Sequence, residues 1–420
     1  MAREMKDSGI EWIGEIPRSW GICRLRFLCN ILTGNQDTQD NDPDGKYPFY
    51  VRSPIVEKSN SFTFEGDDIL MAGDGVGAGK VFHYVSGKYG CHQRVYSLQK
   101  ITGISRRFLY YYLQNRFYIS IETANSKSTV DSVRLNMLQD FSVTIPNCEE
   151  QQSIAVFLDT QCAHIDSVIE ETRAAIEEYK KLKQSVITQA VTKGIRPNRK
   201  MRDSGIEWIG EIPKEWDSII SRFVINQIGD VDHYMPVSID EGKPYIMTGD
   251  LKTLLSKVDF HKCKKISEDD YHKLCKKIQP CVGDVIFARY ATIGTVCYVD
   301  VEVECIISYS CVTVKPNKDL LNGYYLFYYL QSSAFMEDVR QYINSNTQGN
   351  VGIEALYKVK IPLSNLCEQS EIVAYLDEKT AAIDSLIQKK EQLISELEAY
   401  KKSLIYEYVT GKKEVPVHAH

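Results

Sequence analysis

The side chains with the most chemistry to offer sit in a glycine-rich stretch, Gly66-Asp67-Asp68-Ile69-Leu70-Met71-Ala72-Gly73-Asp74-Gly75-Val76-Gly77-Ala78-Gly79-Lys80. Glycine backbones can cradle an anion, so a phosphate loop is the first reading to test. The spacing refuses it. Asp74 stands where the first glycine would be needed relative to Gly79-Lys80, and Val81 replaces the hydroxyl residue that would hold magnesium. Two readings survive: a tight hairpin, or a loop whose small side chains let backbone approach a ligand, with Asp74 and Lys80 at its flanks. Residues 283–295 repeat the plan of Gly-Asp, strand, loop and Gly, and there Arg289 occupies the loop, followed by Tyr290 and Thr292. An arginine so placed suits a bidentate contact to guanine.

Further polar sets fit the same use. His92-Gln93-Arg94 follows a strand pattern, and Arg and Gln are the side chains that read guanine and adenine edges. Lys127 lies in a polar run, residues 125–129, and Asn346, Gln348 and Asn350 lie in another, residues 344–350, at the matching place in the second half. Each serves either loop solvation or DNA contact. Residues 252–277 carry eight lysines that could neutralise phosphate or simply be solvated. His261, Cys263, His272 and Cys275 hint at zinc spacing but lack a second tight Cys pair, so no metal site is expected. No HExxH, GxSxG or cofactor-binding glycine loop opening a helix is present, and no carboxylate and lysine spacing singles out a nuclease. The pattern is that of a binder whose chemistry is done elsewhere.

Two globular parts carry these residues. In the first, residues 47–51, 68–71, 80–85 and 94–98 read as strands and residues 108–117 as a helix; in the second, residues 285–288, 295–299 and 306–314 read as strands and 324–330 as a helix. Each part follows an anchor, MKDSGIEWIGEIP at 5–17 and MRDSGIEWIGEIP at 201–213, offset by 196 (205 − 9). Near-identity over thirteen residues marks a tandem duplication. Trp12 and Trp208 in these anchors are expected to plug a hydrophobic seat.

Each copy ends in a long helical pattern. Asn147 and Asn365 can cap the starts, with Glu150 and Glu368 reaching back toward the cap. Apolar residues then recur on one stripe: Ile154, Leu158, Ile165, Ile169, Ile176, Leu182 and Val186, and again Ile372, Leu376, Ile383, Ile387, Ile394, Leu397, Leu404 and Tyr408. The copies align 218 apart (368 − 150) without a gap, and each stops at a glycine. Two helices of about forty residues, each about 60 Å long, are expected, packed along the stripe as a coiled coil. The division expected is 1–146, 147–196, 197–362 and 363–420.

A chain of 420 residues needs more than one core. Hydrophobic content of 43% with no apolar run of membrane length points to a cytoplasmic protein without a membrane partner. Its net charge of −6 excludes a uniformly basic coat, not a local basic surface.

The order of WIGEIP anchor, variable part, EQ-starting helix ending VITQAVTKG, second WIGEIP anchor, second variable part and helix ending SLIYEYVTGK resembles the specificity subunits of Type I restriction-modification systems. The resemblance implies an α+β fold: two mixed α/β target recognition domains joined by two long helices forming an antiparallel coiled coil, a pseudo-twofold tandem repeat. It implies a non-catalytic DNA reader of a bipartite asymmetric site in double-stranded DNA, the helices serving as a ruler. Partners would be two modification (methyltransferase) subunits carrying S-adenosylmethionine, and restriction subunits using ATP and Mg; this chain would carry no cofactor. The alternative is a coiled-coil interaction scaffold that does not read DNA.

Overall fold

In a computed structural model of the chain, residues 3–124, 132–290, 292–342 and 349–416 are described. Contacts divide the chain into two units, Met1–Arg173 with Gln392–His420, and Ala174–Glu391. Each holds one globular part and a segment of both long helices, Cys148–Lys193 and Leu366–Val409, which run 46 and 44 residues.

The helix starts show why the Glu-Gln pair is present twice. Asn147 Oδ1 accepts from the Glu150 amide at 2.9 Å, and Asn365 Oδ1 from the Glu368 amide at 2.9 Å, so both expected caps form. The glutamates do not reach back; they turn inward. In the first unit the Trp20 indole N–H donates to Glu150 Oε2 at 2.8 Å, and Arg3 pairs with the same carboxylate while lying 5.2 Å over the Trp20 ring. In the second, Trp216 donates to Glu368 Oε2 at 3.2 Å, and Arg199 pairs with Glu368 over the Trp216 ring at 5.8 Å. Trp20 and Trp216 are fully buried, and Trp12 and Trp208, half-buried, pack against the same cores as expected, Trp12 stacked on Phe141 at 5.1 Å. Next door, Gln151 Nε2 donates to Pro146 O at 2.8 Å and its Oε1 accepts from Ser105 N; Gln369 makes the same two bonds, to Ser364 O and from Asn322 N. Each Glu-Gln pair therefore fastens a long helix to its own globular part.

Both helices end where glycine is required. Gly194 and Gly411 have φ of +72° and +71°, a conformation that penalises any Cβ. At Gly411 a Cβ would also lie 2.4 Å from Pro17 and 2.9 Å from the Trp20 ring; at Gly194 the nearest atoms are 3.1 Å away or more. Gly411→Ala should therefore destabilise the first unit by about 2–4 kcal/mol, strain plus overpacking, and Gly194→Ala the second by about half that. Equal shifts of the urea midpoint in the two variants would contradict the crowding argument.

Within each unit the two helix segments run antiparallel. In the first, Phe157 stacks near Tyr408 (4.6 Å), Lys401 Nζ reaches Asp166 at 2.6 Å, and Arg173 reaches Glu398 at 3.2 Å. In the second, Lys183 Nζ meets Asp384 at 2.7 Å and Arg196 meets Glu371 at 2.7 Å. Ile154, Leu158, Ile165, Ile169, Ile176, Ile372, Leu376 and Ile383 are buried; Ile387 and Ile394 are half-buried. Leu182, expected on the stripe, is 48% exposed. It lies six residues beyond Ile176, which rotates it about 120° away at 3.6 residues per turn, and Ile187 is buried instead.

The first globular part has a six-stranded sheet ordered Asn30–Thr33, Val95–Gln99, Phe64–Ala72, Phe82–Cys91, Tyr47–Tyr50 and Glu57–Ser59, antiparallel except where Tyr47–Tyr50 runs parallel to Phe82–Cys91. The helix Arg106–Ala124 buries Phe108, Leu109, Tyr112 and Phe117 against it. The second part keeps this plan but splits the sheet. Ile225–Gly229, Cys311–Pro316, Val285–Ala288 and Val296–Tyr298 form four strands; Lys264–Ile266, Lys243–Ile246 and Ile306–Ile307 form three, the last two parallel. The single strand expected over 306–314 is thus two, because Ser308-Tyr309-Ser310 makes a turn closed by Cys311 N donating to Ser308 O. In the helix Gly323–Gln331, Tyr325 and Tyr329 are fully buried, and Asn322 caps its start.

Candidate nucleic-acid interface

At one edge of each sheet the same set of turns meets. In the first unit the loop after Phe64–Ala72 is tied by Gly73 N donating to Arg94 O (2.9 Å) and by Val133 N donating to Gly73 O (2.7 Å). In the second, Arg289 N donates to Ser310 O (3.1 Å) and Val351 N to Arg289 O (3.1 Å). Isolated bridges Asp74↔Ser132 and Tyr290↔Asn350 complete the match. Gly73 thus corresponds to Arg289, and His92-Gln93-Arg94 to Ser308-Tyr309-Ser310. The frame is held by backbone bonds, which leaves the side chains at these positions free to differ.

In the first unit Asp74 gathers two arginines, accepting from Arg52 Nη1 at 3.2 Å and Arg94 Nη1 at 3.0 Å. Arg94 remains 63% exposed, so most of its donors face outward. Its partner Asp74 borders an open cleft of about 700 Å³ together with Arg52, Val76 and Lys80, and the lining also includes Thr38 and Glu57. Lys80 Nζ sits 4.1 Å over the Tyr118 ring. Gln93 is exposed and donates to Asp37 Oδ2 at 3.1 Å. His92 is a correction to the expected readers: it is 3% exposed, because its Nδ1 accepts the Arg94 amide at 3.0 Å to close the turn. It positions Arg94 rather than facing outward. A hydrogen bond from the Thr38 amide, with His92 assisting, holds the Asp37 carboxyl below its ordinary value.

In the second unit Arg289 is the second correction. Expected at a loop tip, it is 7% exposed and pairs with Asp230, itself buried. Burial pushes the Asp230 carboxyl up, but Arg289 and Lys277 (3.3 Å) outweigh it and the net shift is downward. Arg289 also lies 4.5 Å over the Tyr290 ring and 3.3 Å from His233 Nε2. His233 stacks on Tyr309 at 5.0 Å and stands edge-on to Tyr290 at 6.3 Å. The outward groups are therefore Tyr290 and His233, which touch the buried ion pair, and Tyr309, which stacks on His233; Thr292 is exposed further along the loop. Asp230, His233 and Tyr309 were not anticipated. Asp230 is 59 residues from Arg289, and only the 216-residue offset between the loops (289 − 73) would have paired Ser308-Tyr309-Ser310 with His92-Gln93-Arg94. Lys127, Asn346 and Gln348 lie outside the described residues. Cys263, part of the weak zinc pattern, is buried with its thiol pushed up to about 11, and no cluster able to hold a metal ion occurs among the described residues.

A family model described as "Type I restriction modification DNA specificity domain" matches residues 17–178 and again 229–397. The chain belongs to that family, the DNA-sequence specificity subunits of Type I restriction-modification systems. The Type I restriction enzyme EcoDI specificity subunit of Escherichia coli is 31% identical over 209 residues, which cover 49% of this chain and 41% of that one. The MjaVIII specificity subunit of Methanocaldococcus jannaschii is 24% identical across 95% of this chain and 94% of its own, and the EcoBI subunit of E. coli 23% across 98% and 90%. A solved chain from work on complex assembly and conformational transition of the type I R-M system shares the fold, with a TM-score of 0.69 at 17% identity over 95% of this chain and 99% of that one. No helix among the described residues is long and apolar enough to cross a membrane.

Proposed function

We propose that the chain is a non-catalytic reader of a split, asymmetric DNA site, each unit taking one half, and that it docks two copies of a modification subunit. The observation that carries this reading is the pair of equivalent edges with unlike side chains: one backbone frame, used twice, presents Asp74, Gln93 and Arg94 in the first unit and Tyr290, Tyr309 and His233 in the second. Direct readout requires such a separation, with backbone holding the register and side chains choosing the base. Docking is supported by the part of the second long helix in the first unit, where Leu393 and Tyr400 stand seven residues apart and are 39% and 55% exposed, an apolar pair suited to a partner helix. With a net charge of −6, the chain leaves much of the phosphate neutralisation to its partners. S-adenosylmethionine would then bind the modification subunits, and ATP with Mg the restriction subunits.

Single-molecule methylome sequencing of DNA from cells expressing this chain with its modification subunit tests the proposal. The expected result is one split motif with methyladenine in both halves. Exchanging residues 1–146 or 197–362 for those of a relative should change one half only. A bound, active modification subunit that leaves no motif would overturn the reading.

A further inference from the structure

One stretch of the second unit shows large apolar side chains to solvent where the first unit shows none. Residues 231–242 join the strands Ile225–Gly229 and Lys243–Ile246. Within them Tyr234, Met235, Val237 and Ile239 are 39%, 44%, 72% and 38% exposed. Such a cluster on one short loop is costly in water and marks a contact surface. The corresponding loop of the first unit, residues 34–46, carries Asp37, Asp40, Asp42 and Asp44 and no large apolar residue.

The loop is held in shape rather than left slack. Its base is the buried Asp230–Arg289 pair and the His233–Tyr309 stack. Pro236 is buried between Met235 and Val237, and its carbonyl accepts from Lys264 Nζ. Ile239 N donates to Lys265 O at 3.0 Å. Pinning Pro236 inward turns its two neighbours outward. Lys273 Nζ lies 4.8 Å over the Tyr234 ring, Lys264 Nζ reaches the Pro236 carbonyl, and Lys277 at the loop's base is paired with Asp230 and Asp232; Asp240 and Glu241 follow the apolar tip in the chain. An apolar tip with ammonium groups behind it, continuous with a base-reading edge, suits a polyanion that also offers apolar surface.

Duplex DNA offers apolar surface at thymine methyls and at base faces exposed by unstacking. One methyl would need a single small side chain, whereas Met and its neighbours here match the wedges that open a base step. Resting on the function proposed above, we infer that Tyr234–Val237 forms a wedge that enters the duplex and presses on base faces at one step of the half-site read by the second unit.

The test uses the assembled complex with its modification subunits and duplexes carrying 2-aminopurine at successive purines of that half-site, the methylated adenine excluded. With the wild-type complex, fluorescence should rise at one step. In Met235→Ser with Val237→Ser the rise should vanish and affinity for the site fall about tenfold, with assembly unchanged. Met235→Leu, which keeps the apolar bulk, should retain the signal. Unchanged fluorescence and affinity in the double variant would overturn the wedge, and so would loss of assembly, which would mean that the loop docks protein. A wild-type complex without any site preference would instead overturn the proposed function itself.

Discussion

Glu368→Ala is expected to destabilise the second unit by about 3–5 kcal/mol, the usual result of leaving a buried charge without its partner. The Glu368 side chain is 3% exposed and serves both the Arg199 guanidinium and the Trp216 indole, so its removal leaves the indole donor without its acceptor and Arg199 with only the exposed Glu215, 3.3 Å away. The equivalent change in the first unit, Glu150→Ala, should cost about 1–2 kcal/mol, since Glu150 and Arg3 are 22% and 19% exposed and water can take over part of their bonding. Urea unfolding followed by tryptophan fluorescence reads both, because Trp20 and Trp216 sit at the two carboxylates. Glu368→Gln keeps an acceptor for the indole and should recover part of the loss. Equal costs for the two alanine variants would show that burial is not what gives Glu368 its weight.

The second large effect is expected at Arg289. If this residue only touched DNA, Arg289→Ala would leave unfolding unchanged and weaken site reading alone. Its pairing with buried Asp230 predicts a loss of about 3 kcal/mol at neutral pH, the low end for a broken buried pair because Lys277 remains 3.3 Å away. The sign with pH follows from the carboxyl. In the wild type, Asp230 is held below its ordinary value, so its contribution is present above the unfolded pKa of about 4 and lost as pH falls through the folded one. Without Arg289, burial dominates and the folded pKa rises; the protonated acid is then tolerated, and the penalty grows as pH climbs from 4 toward 7. Urea midpoints at pH 4.5 and 7 should therefore differ less between wild type and variant at the lower pH. A gap independent of pH would remove Asp230 from the explanation.

Much of the scaffold was legible because it is written twice. The anchors, the Asn caps, the terminal glycines and the stripe residues repeat at fixed offsets, and repetition separates frame from surface without any other sequence. What stayed hidden depends on distance in three dimensions. A buried Arg-Asp pair 59 residues apart has no local pattern, so Arg289 was read from its loop and not from its partner. Glu150 and Glu368 fit a capping box by spacing, but an indole and a guanidinium that flank each anchor, Trp20 with Arg3 and Trp216 with Arg199, draw them away. Leu182 shows the limit of periodicity: a six-residue step carries it about 120° off the stripe, and one apolar residue at the wrong angle ends up in water. The 231–242 loop escaped notice because its apolar residues follow neither a helical nor a strand period.

The division of the chain also sets an order of events. The second unit is one continuous stretch, Ala174–Glu391, whereas the first joins Met1–Arg173 to Gln392–His420. Every internal contact of the second unit is made among residues that precede 392, so none of them waits for residues 392–420. The apolar face of residues 148–173 must wait for Leu404, Ile405 and Tyr408, which bury it. During synthesis at about 5–20 residues per second, that face stays open while more than two hundred further residues are made, on the order of ten seconds or longer. The unit that begins the chain is the last to be finished, and over that interval it is the part a chaperone would hold.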